Sequence, residues 1–132
     1  MTFKHINPER LGRPRGYTNG LATAPGARLL FVAGQIGWDE NQRIVSDDFV
    51  EQFERALRNV LEVVTEAGGE ADSIARLVVY VTDKREYAAR TAEIGVRWRA
   101  LMGRHFPTMT LVEVSSLLED GAKVEIEGIA VL

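Results

Sequence analysis

Apolar residues from Phe49 onward recur at Phe53, Ala56, Leu57, Val60, Leu61 and Val64. This spacing is the stripe of an amphipathic helix with one buried face. Asp47 and Asp48 stand before it, where acids meet unpaired N–H groups and the positive end of the helix dipole. Gly68-Gly69 follows it and suits a left-handed cap. A helix buried on one face must lie against something apolar, and the flanking segments read as strands.

Residues 2–6 suit a short strand, stopped by Asn7-Pro8, and 17–23 suit a second. Pro25-Gly26 is a turn signal. Residues 28–33 (RLLFVA) form a third strand rich in bulky apolar side chains, after which Gly34 and Gln35-Ile36-Gly37 lead into a polar loop. Residues 77–82 (LVVYVT) read as a buried strand. A second helix is expected over 84–102, with Tyr87, Thr91, Ile94, Trp98 and Leu101 as its core stripe and Gly103 and Pro107 ending it. Strands over 109–114 and 123–131 close the chain. In the last one Val124 and Ile126 point one way, Glu125 and Glu127 the other. The order predicts an α+β fold with both helices on one face of a mixed sheet. The other face carries acids on strands too apolar to stand in water, which predicts oligomerisation.

A chain of 132 residues is expected to form one domain, residues 1–132. The net charge of −3 counts against nucleic acid as a partner, since phosphate binding needs a basic footprint. There is no cysteine, which excludes disulfides, a thiolate nucleophile and cysteine-ligated zinc. The start, MTFKHINPER, has no apolar signal-peptide core, and no segment has the length of a membrane span. A soluble, cytoplasmic protein is expected. His5 and His105 make no HExxH-type motif, so no metal is expected. Gly12, Gly16 and Gly20 lack the strand-then-helix context of a nucleotide loop, and Ser115 and Ser116 have no triad partners at motif spacing.

Six pieces, "GYTNG", "LLFVAGQIG", "VTEAGGEADSI", "RLVVYVTD", "FPTMTLVEV" and "GAKVEIEGIAV", appear in an order and spacing that resemble the RidA/YjgF family, also labelled endoribonuclease L-PSP. The resemblance runs from about Asn7 to Leu132. It implies a chorismate-mutase-like fold in which three sheets pack as the barrel of a homotrimer, with helices outside and small carboxylates held in clefts between subunits. It also implies hydrolysis of reactive 2-imino or 2-enamino acids to keto acids and ammonia, without metal or organic cofactor.

On this resemblance Glu125, the first acid of "VEIE", matches the carboxylate that positions water, and Tyr17 the pocket tyrosine. Gly34 brings a backbone N–H close to a ligand. Ala33 stands where serine is usual, so a hydroxyl is missing. Met109 stands where deaminating members carry an arginine in P-A-R, and Thr110 follows it as a cleft residue. A guanidinium grips a carboxylate with two charge-assisted bonds, and a thioether offers none. Losing that grip costs roughly 2–5 kcal/mol. Arg13 and Arg15, just before Tyr17, and Arg104, near Pro107, are the candidate replacement cations. Each also has a plain alternative, a solvated charge. Arg90 and Arg97 read as a solvated stripe paired with Glu86 and Glu93 four residues earlier.

Three functions compete. The leading one is a small-molecule enzyme that deaminates an imine or enamine hydrolytically at clefts of a homotrimer, with Met109 altering substrate preference. The alternative is a non-catalytic metabolite-binding or regulatory trimer. An endoribonuclease comes third, because the chain is acidic and lacks a histidine pair and a basic stripe.

Overall fold

The computed structural model describes residues 3–132. Strands β1 (Lys4–Ile6) and β2 (Gly20–Ala22) pair antiparallel and form a small sheet of their own. This differs from the expected single mixed sheet. The second strand is also shorter than its sequence suggests, and Tyr17 lies in the loop before it. Thr2, expected in the first strand, lies outside the described residues.

The main sheet has the order β3-β6-β4-β5, with β3 Leu29–Ile36, β4 Ile74–Val81, β5 Thr108–Glu113 and β6 Val124–Val131. β6 runs antiparallel to both β3 and β4, while β4 and β5 are parallel. Parallel neighbours need a long crossover, and here helices provide it. β3 continues past Ala33 to Ile36, with a bulge between Val32 and Gln35.

Helix α1 (Phe49–Glu66) begins at Asp48, whose carboxylate accepts the Glu51 N–H at 3.1 Å. Its buried face is Phe49, Val50, Gln52, Phe53, Ala56, Leu57, Val60 and Val64. These pack on Val32, Leu77, Val79, Val81, Val124, Ile126 and Ala130, which line one face of the sheet. The anticipated second helix is two, α2 (Lys84–Ala89) and α3 (Thr91–Met102), divided at Arg90. In the anticipated stripe, Ile94 and Trp98 are buried, Tyr87 and Leu101 are partly buried, and Thr91 is exposed. Glu113, at the end of β5, accepts the Lys84 N–H at the start of α2.

The anticipated pairs Glu86–Arg90 and Glu93–Arg97 of α2–α3 do not form. Arg90 bonds the Asp48 carboxylate at the head of α1 and also Glu93, and Arg97 reaches Glu54 of α1. Glu86 instead faces Lys123 at 3.9 Å. The pairs therefore brace α1 against α3 across the helix interface. Among the described residues no helix is long and apolar enough to cross a membrane.

These braces carry a pH signature. The bond from Arg97 holds the Glu54 carboxyl below its ordinary 4.5, and the bond from Arg90 holds Asp48 below its ordinary 3.8. Lowered folded-state values mean stability that is complete above the ordinary values and lost as pH falls through the lowered ones. Glu54→Gln is expected to cost about 1 kcal/mol near neutrality, the scale of a half-exposed pair. In urea denaturation the gap between variant and parent should close below about pH 4; a gap independent of pH would refute the assignment.

Candidate functional site

Alternation along the strands divides the sequence candidates between two sides of the sheet. On β6, Val124 and Ile126 are in the core, so Glu125 and Glu127 stand on the face that no helix covers. On β5, Met109 and Leu111 pack towards the helices. Thr110 therefore projects to the bare face, opposite Met109, although the two are adjacent in sequence.

The bare face brings Glu125 and Gly34 together. The bulge in β3 falls at Ala33 and Gly34, next to the point where Ile36 pairs with Glu125. A β-carbon placed on Gly34 would sit 2.0 Å from Glu125 Oε2. The carboxylate thus lies against the backbone of Gly34, in space that only glycine leaves open. On the neighbouring strand Tyr80 donates a hydrogen bond of 2.5 Å to Glu127 Oε1. That bond raises the Tyr80 phenol above its ordinary 10, so the phenol stays protonated. Arg76 shares the same face of β4. Around these groups the face is apolar and open: Leu29, Phe31 and Val112 are exposed, Phe31 to 71%.

The helix side holds the second group of candidates. Thr18 ties the arginine-rich loop to the start of β5, its N–H bonding Pro107 O at 3.1 Å and its hydroxyl Phe106 O at 2.6 Å. Residues nearly ninety apart in sequence meet there (|i−j| = 88). Arg15 and Gly16 consequently border a cavity of about 550 Å³ that Met109 also lines. Tyr17 is exposed beside it. Arg13 and Arg104 are exposed and do not border the cavity. Arg99 does, and nothing in its sequence position singled it out. Trp98, expected in the core, is buried and also forms part of the cavity wall. Its ring stacks on Phe106 at 6.2 Å.

Tyr80, Glu127, Arg76 and Arg99 were not anticipated. For the first three the available signal was the alternation of β4 and β6. His105 is structural: its Nε2 bonds Ile74 O at 2.6 Å and its ring stacks on Phe3. Among the described residues there is no group of three or more metal-ligating side chains.

A four-stranded mixed sheet, helices on one face only, and a carboxylate set on the other define an α+β protein of the RidA/YjgF type. The chain belongs to the endoribonuclease L-PSP family, whose sequence profile matches residues 13–132. It is 33% identical to a RutC family protein of Pyrococcus abyssi over 132 residues, covering 98% of each chain. It is 32% identical to the 2-iminobutanoate/2-iminopropanoate deaminase of Salmonella typhimurium over 106 residues, 78% of this chain and 79% of that one. Among solved structures, a Rid family protein of unknown function, YyfB from Yersinia pestis, superposes with a TM-score of 0.87 at 29% identity, covering 100% of both chains. Escherichia coli TdcF with bound serine superposes with a TM-score of 0.70 at 29% identity, covering 92% of this chain and 91% of that one.

The contact between Gly34 and Glu125 gives a test of the bare face. The atom that a new methyl would meet is the end of a flexible side chain, so Gly34→Ala is expected to turn the carboxylate aside without unfolding the sheet. Thermal unfolding should move by no more than a few degrees, about 1 kcal/mol. The Glu125 carboxyl resonance should shift in NMR titration; an unmoved carboxyl signal would contradict the contact.

Proposed function

We propose that this chain is a cofactor-independent enzyme that hydrolyses a reactive imine or enamine in clefts between the subunits of a homotrimer. The observation that carries this reading is the Glu125 carboxylate lying against the Gly34 backbone on the bare sheet face. Hydrolysis of an imine needs a water aimed at the C=N carbon and a base to receive its proton. Glu125 takes both roles. The water oxygen bonds to carbon, the C–N bond breaks, and a ketone and ammonia leave. An enamine first takes a proton on carbon to become the imine. The Gly34 N–H lies where a polar substrate atom can approach the backbone, Ala33 leaves the bulge without a hydroxyl, and Thr110 offers one from β5. Tyr17 orients the substrate from the loop that borders the Met109 cavity. The relative from Salmonella typhimurium, a 2-iminobutanoate/2-iminopropanoate deaminase, supports the reaction class.

Trimer formation accounts for the bare face. Phe31, Leu29 and Val112 present apolar surface that folding alone does not cover. Glu125 and Met109 also lie on opposite sides of one sheet, so a ligand touching both must lie between copies. Met109, where the resemblance places an arginine, moves substrate preference away from small 2-imino acids. That same residue favours a second reading, a trimer that binds a metabolite without turning it over.

Two measurements decide between these readings. Following the decay of an enamine generated in solution, the protein is expected to accelerate the loss, and Glu125→Gln to reduce the acceleration by about 10²-fold or more, the scale of a general base. Full activity in Glu125→Gln would sink the mechanism, and ligand-induced stabilisation without turnover would support the binding reading. In light scattering the protein should have three times the chain mass of 14.7 kDa. Phe31→Glu should reduce that to one chain mass, because it buries a charge at the interface.

A further inference from the structure

The cavity between β5 and α3 is built to take more than a methyl group. Phe53, Val79, Ile94, Trp98, Met109 and Leu111 give it an apolar wall, and its volume of about 550 Å³ falls within the ordinary range of small-molecule pockets. Its charged groups are both cationic, Arg15 from the loop and Arg99 from α3. Among the described residues neither guanidinium has a carboxylate within 4.0 Å. The other polar side chains on the wall are Thr91 and Tyr87, whose phenol is raised by burial and stays neutral.

Arg99 lies along its helix over Gly95. A glycine inside a helix costs about 1 kcal/mol relative to alanine. Residues four apart share a helix face, and long side chains lean towards the N-terminus. The Arg99 side chain follows this lean, so that a β-carbon on Gly95 would touch its Nη1 at 3.4 Å. Gly95 itself borders the cavity. The guanidinium therefore lies along the helix over Gly95, at the exposed edge of an apolar chamber.

We propose that this cavity binds a monocarboxylate with an aromatic or bulky branched side chain, the apolar group against Trp98 and Met109 and the carboxylate held by Arg99 and Arg15. The two arginines thereby supply, from α3 and the loop, the anion grip that a thioether at position 109 does not. The inference deepens the proposed function by naming the substrate class and rests on it only in taking the bound acid for the substrate.

The test is binding by the intact assembled protein, read without turnover. Calorimetry with 3-phenylpropanoate is set beside its neutral counterpart 3-phenylpropanol and beside acetate. NMR follows the Trp98 Nε1–H, which bonds His105 O at 3.2 Å, with Trp38 as an internal control outside the cavity. The acid is expected to bind and shift the Trp98 signal alone, while the alcohol and acetate bind at least about tenfold more weakly. Arg15→Gln/Arg99→Gln should weaken the acid about tenfold and leave the alcohol unchanged. Gly95→Leu favours the helix and fills the chamber, so it should abolish binding while folding is kept. Equal binding of acid and alcohol, or full binding by Gly95→Leu, overturns the proposal. Absence of any Trp98 response also overturns it and leaves the cavity to a segment of a second copy. Glu125→Gln that binds the acid but has lost turnover separates this inference from the catalytic reading, since each can fail alone.

Discussion

Gln52 is fully buried on α1, and its amide ties together two separate backbone segments. Its Nε2 donates to Ser46 O at 2.8 Å and to Gly121 O at 3.0 Å, and its Oε1 accepts the Lys123 N–H at 2.8 Å. The buried Gln52 amide left without these partners would cost about 1–3 kcal/mol. The helix backbone at the same residue lies so close to Gly37 that a β-carbon there would be 2.7 Å from the Gln52 Cα. The exit of β3, the approach to α1 and the entry to β6 are therefore fixed at one point. Gly34 lies three residues before Gly37, and Glu125 two after Lys123. The placement of the carboxylate on the bulge is inherited from this junction.

A strand's period of two then divides the chemistry. With Val124 and Ile126 committed to the core, Glu125 has to face outward; with Met109 and Leu111 packed towards the helices, Thr110 has to face the other way. Within one chain Glu125 and Met109 therefore cannot meet. In the proposed trimer, the burial that covers the apolar bare face is also the event that would bring the two sides together. Assembly and site formation would then be one step, whichever of catalysis or binding the site performs.

Much of this was legible in the sequence. The stripe from Phe49 to Val64 gives α1, the alternation of 124–127 gives the two faces of β6, and the order of elements gives α+β. What was not legible depends on partners distant in the chain. The spacing of Glu86, Arg90, Glu93 and Arg97 suits pairs at i, i+4, yet Arg97 goes to Glu54 of α1 and Arg90 is shared between Glu93 and Asp48 at the head of α1, because a pair across an interface also braces the packing. The small β1–β2 sheet was read into the main one because periodicity reports that a strand exists and not which strand it joins. Arg15 was singled out only for standing near Tyr17. Its approach to Met109 depends on Thr18 bonding Phe106 and Pro107, a contact that spacing alone does not reveal.

Met109 shows why an aligned position is an incomplete guide to a site. On the family resemblance alone, a methionine where deaminating members carry an arginine would remove a cation and leave an apolar wall. Read in the fold, the space beside that methionine is bordered by two other guanidiniums, neither held by a carboxylate of the described chain. Arg99 borders the cavity from α3, its side chain lying along the helix over Gly95. An anion site requires positive charge at a point in space, and any element that passes that point can supply it. On the proposed binding mode, the two cations come from α3 and the loop while Met109 belongs to the apolar wall, so the space between them suits an acid with a bulky side chain.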